Sequence, residues 1–193
     1  MLPEGKQAIR RDDRKLMKIA LDAMGGDFGP NVTVPAAAAF VQASDATVLL
    51  VGDPSQIEPL MEQYNTDRLV VVPAKQTIEM GDHPVRAVRQ KSDSSLVVAA
   101  RLVKEGEAQG FVSAGNTGAM MTAALLMVGR IPGIERPAIP CPIPVPHGEA
   151  ILLDVGANVD CKPKHLVQFA VMGRAYMEKV RGIANPTVGL VNI

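Results

Sequence analysis

The sequence predicts a three-layer α/β/α sandwich with a mostly parallel sheet. Two patterns lead there: short apolar runs alternate with helical patterns along the first half of the chain, and the strand-like runs end in loops rich in Gly, Asn and Asp. Alternation of this kind places helices on both faces of a parallel sheet. Loops of small polar residues at strand ends are where such sheets hold ligands.

Lys18–Asp22 is a short apolar strand, followed by the glycine-rich turn from Ala23 to Pro30. A helix from about Asn31 to Ala43 follows, in which Pro35 is acceptable only within the first turn. Thr47–Val51 is the second strand, Pro54 to about Tyr64 a helix, and Leu69–Val72 the third strand. Residues 75–84 are polar and irregular. Val85–Lys91 reads as a short helix with Arg86 and Arg89 on one face. Ser94–Glu105 is a clearer helix, because Leu96, Ala99, Ala100 and Val103 repeat at i, i+3, i+4 and i+7, with Gly106 as its stop.

Gly110–Ala119 follows as strand, tight turn and helix start. The segment Ala119–Val128 has no charged residue, so it is expected to form a buried helix. Ala138–Pro146 carries four prolines and can be only an edge strand or irregular; with Ala150–Asp154 it suits a hairpin turning at residues 145–148. Pro163 opens a long helix expected to bury Leu166, Phe169, Ala170, Gly173, Met177 and Val180. Thr187–Val191 reads as a last, parallel strand.

Bulk properties narrow the function. The 193 residues carry 20 basic and 20 acidic side chains, a net charge of zero that gives no electrostatic case for nucleic acid. Cys141 and Cys161 are the only cysteines, too few for a disulfide framework and without zinc spacing, which fits a reducing cytoplasm. Residues 1–16 mix five basic with three acidic residues and are expected to be a charged, disordered extension, with folded sequence from Met17. No secretory signal is evident there, since no apolar run follows the basic residues. The uncharged stretch Phe111–Gly129 is broken by polar residues and glycines and reads as a buried strand and helix rather than a membrane span.

The chemistry centres on Gly110-Phe-Val-Ser-Ala-Gly-Asn-Thr-Gly-Ala119. Asn116 or Thr117 can cap the helix that follows, and Gly115 and Gly118 relax the turn. A helix opening on such a turn offers backbone N–H groups at its positive end, a place for an anion. An ordinary capped turn is the competing reading. Loops at Asp22–Asp27 and Asp154–Asp160 are expected on the same rim, which favours a site. The spacing Gly110-x-x-Ser113-x-Gly115 is one residue too long for a serine-hydrolase elbow. His83, His147 and His165 lack metal-ligand spacing, and neither cysteine has a nucleophile motif. Gly25, Gly26 and Gly29 with Asp53 give only an imperfect dinucleotide fingerprint, because the spacing is Gly-Gly-x-x-Gly.

Four blocks resemble the bacterial phosphate acyltransferase (PlsX) family of phospholipid synthesis: residues 18–27, Ser113–Ala119, Leu153–Cys161 and Val188–Ile193. The family is similar in fold to the isocitrate/isopropylmalate dehydrogenases, which accounts for the dinucleotide-like appearance without a cofactor. The resemblance implies transfer of a fatty acyl group from acyl carrier protein to inorganic phosphate. The resulting acyl phosphate would serve a membrane glycerol-3-phosphate acyltransferase. It also implies no cofactor, no metal, a homodimer, and a cytoplasmic location that can extend to the membrane periphery. Residues 17–193 match the N-terminal part of a usual member, so the chain is expected to be truncated and inactive alone.

On this reading the N–H groups of Asn116, Thr117 and Gly118 meet phosphate or the oxyanion, and Asn158 and Gly156 form an opposite wall. Gly25, Gly26, Ser113 and Gly115 complete the substrate loops. His83, Arg86, Arg89 and Lys162 add positive charge, although a solvated helix face is an equal reading of the two arginines. Two alternatives stay open: a nicotinamide-dependent dehydrogenase on a related fold, and a non-catalytic fragment.

Overall fold

The computed structural model describes residues 17–191 except 65, 147, 157 and 159. The expectations for residues 1–16, for the turn at His147 and for the last two residues lie outside the described residues. The chain forms two compact units, residues 1–128 and 129–193.

The first unit is built on a four-stranded sheet of β1 (Lys18–Asp22), β2 (Thr47–Gly52), β3 (Leu69–Pro73) and β4 (Gly110–Val112), in the order β3-β2-β1-β4. Every pairing is parallel, with Ala20 opposite both Leu49 and Phe111. After Thr47, β2 is apolar and buried from Val48 to Gly52, as expected of a strand covered on both faces. Its side chains alternate between two cores. Val48 and Leu50 meet Val34, Ala37, Ala38 and Val41 of α1 (Pro30–Ala43) and Ile57 of α2 (Pro54–Met61). Leu49 and Val51 meet Val98 and Ala99 of α4 (Ser95–Lys104) on the opposite face. Helix, sheet and helix are the three layers anticipated. Each fully buried Leu or Val in these cores contributes about 1.5–3 kcal/mol.

Local chemistry sets the helix ends. α2 opens on Pro54 behind Asp53, whose carboxylate accepts from the Ser55 N–H at 3.0 Å. α3 (Pro84–Gln90) also opens on a proline, with His83 as its N-cap. α1 begins one residue earlier than anticipated, at Pro30, and runs through Pro35 beyond its first turn. The bond forfeited there would have ended on the carbonyl of Asn31, an exposed residue whose carbonyl has water as the alternative partner.

One expectation in this unit needs correction. The apolar segment after β4 is not one buried helix. α5 (Thr117–Ala123) buries only Ala119 and Ala123, and a π-helical turn over Ala124–Val128 leaves Leu126 47% and Val128 50% exposed. A wider turn rotates the following side chains off the α-helical face, so an apolar sequence alone could not place them.

The second unit contains the expected proline-rich hairpin, β5 (Cys141–Ile143) antiparallel to β6 (Ala150–Leu152), and α6 (Pro163–Lys179). α6 buries His165, Phe169 and Met177, one narrow i, i+4 stripe, whereas Leu166 and Val180 are exposed. The predicted strand Thr187–Val191 is absent: these residues have no strand conformation, and Leu190 is 75% exposed. β-branched residues form a strand only where a neighbour completes the ladder, and no described residue does so here.

Candidate active site

The order β3-β2-β1-β4 fixes where the chain changes direction across the sheet. From β1 it moves outward through β2 to β3, then returns to the other side of β1 as β4. The two strands flanking that reversal therefore send their loops apart at their carboxyl ends, and this crevice is where open α/β sheets hold ligands. The loops in question are Ala23–Gly29 after β1 and Ser113–Asn116 after β4, two of the three picked out from the sequence. The third, Asp154–Asp160, follows β6, which pairs with β5 in the two-stranded sheet of the second unit.

The two loops are joined by side chains. Asp22, 2% exposed at the end of β1, accepts from Ser113 Oγ at 2.7 Å. Ser113 Oγ in turn accepts from the Gly115 N–H at 3.0 Å. Gly25 lies against this contact so closely that a Cβ there would stand 2.6 Å from Asp22 Oδ2 and 3.0 Å from Gly115 N. Gly26 takes φ +87°, which other residues rarely adopt, and a Cβ there would stand 3.2 Å from Ala114 Cβ. Gly25, Gly26, Ser113 and Gly115 are therefore brought together as the sequence suggested.

Asn116 is buried and caps α5, its Oδ1 accepting from the Ala119 N–H at 3.0 Å. Its Nδ2 lies 3.0–3.3 Å from the carbonyl oxygens of Glu79, Met80 and Asp82. The side chain is fully engaged by protein groups, which leaves backbone N–H groups as what this turn offers a ligand. Among the described residues no protein group accepts from the N–H groups of Asn116, Thr117 or Gly118. The Asn116 clamp also brings in α3. Gly118 lies against Pro84, and a Cβ on Gly118 would stand 2.6 Å from Pro84 Cγ. The starts of α3 and α5, each a positive helix end, thus meet beside the crevice.

His83 is the exposed N-cap residue of α3, and Arg86 and Arg89 are exposed along it, while Ala87 and Val88 face the core. The face that carries the two arginines is solvated, and Arg86 lies in the helix's first turn. Lys91 secures the preceding loop by donating to Asp82 Oδ2 at 2.6 Å and to the Thr77 carbonyl at 2.9 Å. The Lys91 hydrogen bond, with another from the Glu79 N–H, holds the Asp82 carboxyl below the usual aspartate value.

In the second unit, Asn158 braces its own loop. Its N–H donates to Asp154 Oδ2 at 2.7 Å and its Nδ2 to the Pro137 carbonyl at 2.9 Å. Gly156 has φ +82° in open surroundings. Lys162 is the exposed N-cap of α6, its N–H donating to His165 Nδ1 at 3.1 Å.

Sequence reasoning assigned no role to Asp82 and Lys91 and did not connect Asp22 with Ser113. The spacing of 91 residues between Asp22 and Ser113 carries no local signal. Asp82 to Lys91, at nine residues, straddles a helix start whose packing only the fold reveals.

Among the described residues no helix is long and apolar enough to cross a membrane, and no group of three or more His, Cys, Asp or Glu side chains is placed to hold a metal ion.

Taken together, these features define a doubly wound α/β protein with glycine-rich loops at its switch point. Solved structures share that fold. A phosphotransacetylase from Streptococcus pyogenes superposes with a TM-score of 0.66 at 20% identity, covering 88% of this chain and 56% of that one. The EutD phosphotransacetylase of Staphylococcus aureus gives 0.60 at 25% identity, covering 84% and 53%. The family model described as "Fatty acid synthesis protein" matches residues 17–193, and the chain belongs to that family. The phosphate acyltransferase of Desulfitobacterium hafniense (strain Y51) is 52% identical over 179 residues, 92% of this chain and 53% of the relative. That of Heliobacterium modesticaldum is 53% identical over 180 residues, 92% and 54%. The chain spans about half the length of these curated relatives.

Proposed function

We propose that the protein carrying this segment transfers a fatty acyl group from acyl carrier protein to inorganic phosphate, and that the crevice between the β1 and β4 loops receives the phosphate. The observation that carries this reading is the Gly115–Gly118 turn, whose N–H groups at Thr117 and Gly118 have no acceptor among the described residues, in a chain about half identical to named phosphate acyltransferases.

The reaction asks little of side-chain chemistry. A phosphate oxygen attacks the thioester carbonyl carbon and the new C–O bond forms. The tetrahedral oxyanion collapses, the C–S bond breaks, and the proton of hydrogen phosphate ends on the departing thiol. What the protein supplies is alignment, worth several kcal/mol, and N–H donors aimed at developing negative charge, each worth about 2.7–4 kcal/mol. No nucleophile is required, which accords with the lack of a hydrolase elbow or a Cys/His pair in the sequence. The joined positive ends of α3 and α5, with Arg86 nearby in sequence, supply the attraction for an anion. The Asp22, Ser113 and Asn116 side chains hold the loops. Action as a homodimer, in the cytoplasm or at the membrane periphery, and supply of acyl phosphate to a membrane glycerol-3-phosphate acyltransferase belong to the same proposal.

The test is Thr117→Pro in the protein at the full length of its relatives. Proline suits the first position of a helix, and Asn116 already has the extended ψ of 108° that a following proline favours, so the fold should survive while one N–H is lost. Phosphate-dependent thiol release should fall on the order of 100-fold. Unchanged turnover in a folded variant would remove the turn from the site.

A further inference from the structure

We infer that Asp22 and Ser113 are a positioning pair for phosphate, acting through the Gly115 N–H rather than by touching substrate. The inference rests on the proposed function above and adds to it the device that sets the turn.

The direction of the two hydrogen bonds is the core of the argument. Ser113 donates its single hydroxyl proton to Asp22 Oδ2 at 2.7 Å. Its lone pairs are then free for the Gly115 N–H at 3.0 Å. A serine without that partner could turn its proton toward Gly115 and lose the contact. Asp22 thus fixes the polarity of Ser113, and Ser113 fixes the residue that begins the turn.

Burial excludes a direct role for Asp22. Asp22 is 2% exposed, and its Oδ1 is shielded with no hydrogen-bond partner among the described residues. A ligand in the crevice does not reach that oxygen. A buried acceptor left unpaired is destabilising, so stability alone does not account for a carboxylate at this place. The absence of a side chain at Gly25 fits the same purpose, because any Cβ there would occupy the space between Asp22, Ser113 and Gly115. The pair sits between β1 and β4 and ties both loops of the crevice into one unit.

The experiment measures both substrates' KM and kcat for Ser113→Ala, Ser113→Thr and Asp22→Asn, in the protein at the full length of its relatives. Exchange of the Gly115 amide is followed alongside. Ser113→Ala should raise the KM for phosphate about tenfold, the scale of one hydrogen bond. It should leave the KM for acyl carrier protein unchanged and speed Gly115 exchange. Ser113→Thr keeps the hydroxyl and should stay near the parent; should the alanine variant not fold, Asp22→Asn carries the test, its phosphate KM rising and its Gly115 exchange quickening while the KM for acyl carrier protein stays unchanged. Asp22→Asn, whose amide oxygen can still accept from Ser113, should weaken phosphate binding less than Ser113→Ala and leave the pH profile in place. Parental phosphate KM in folded Ser113→Ala, an equal rise in both KM values, a tenfold rise in Ser113→Thr, or a shifted pH profile in Asp22→Asn would overturn the positioning role. A parent protein without phosphate-dependent turnover would instead overturn the proposed function, and the inference with it.

Discussion

The side-chain amide of Asn116 donates to the main-chain oxygen of Asp82 across 3.0 Å, while its oxygen caps the helix that Asn116 itself begins. One buried residue therefore fixes the start of α5 and the loop that leads into α3. This explains how two helix starts separated by more than thirty residues come to share one place beside the sheet rim.

Replacing Asn116 with Ala should destabilise the chain by about 2–3 kcal/mol. Loss of the cap accounts for about 1 kcal/mol and the carbonyls left without a donor for the rest. Asn116→Asp keeps the cap acceptor but turns a carboxylate oxygen toward the same carbonyls, so it should be no more stable than the alanine variant. Urea unfolding gives both values. Recovery of parental stability in Asn116→Asp would show that the clamp contributes nothing.

Gly118→Ala sets two effects against each other. Alanine ordinarily gains about 1 kcal/mol over glycine inside a helix. Here its methyl would meet Pro84 Cγ at 2.6 Å, and a ring at a helix start has little freedom to retreat. Overpacking of this kind costs about 1–3 kcal/mol, so a lower melting midpoint is expected. A stabilised variant would mean that α3 and α5 are not held together here.

The Asp82–Lys91 contact gives a pH dependence of defined sign. The Asp82 carboxyl is held below its usual value, chiefly by Lys91 and then by the Glu79 N–H. Its contribution is therefore present above the unfolded-state value, about 3.9, and is lost as the pH falls through the lower folded value. Lys91→Met should move the Asp82 titration midpoint upward, though part of the depression remains through Glu79. Carboxyl NMR of the two proteins makes the comparison, and an unmoved midpoint would contradict the assignment.

Cys141 and Cys161 are free and half-buried. Direct attack by phosphate needs neither, so Cys141→Ala and Cys161→Ser should keep acyl phosphate formation at full length. Mass spectrometry that finds an acyl group on either sulfur would replace direct attack with a two-step route.

Much of the first unit was legible in the sequence because its signals are local. The runs 47–51 and 69–72 are β-branched and apolar, and Leu96, Ala99, Ala100 and Val103 repeat at helical spacing. The sequence marks Asn116 as a possible cap but gives no sign of the clamp, since its other partners lie 34–37 residues away. The failures are those where a neighbour decides. Thr187–Val191 has strand composition without a ladder partner among the described residues. Leu125 and Leu126 belong to an apolar helix by composition, but the π turn carries them outward. The sequence also could not tell that β6 pairs with β5 in a sheet of its own rather than extending the parallel sheet, because that depends on which strand it meets.

The most direct test of the proposed reaction is to incubate the full-length protein with acyl carrier protein bearing a fatty acyl group, with and without inorganic phosphate. Free thiol and hydroxylamine-trappable acyl phosphate are measured together. The account predicts that both appear in equal amounts and only when phosphate is present. Thiol released at the same rate without phosphate, or with no acyl phosphate formed, would contradict it.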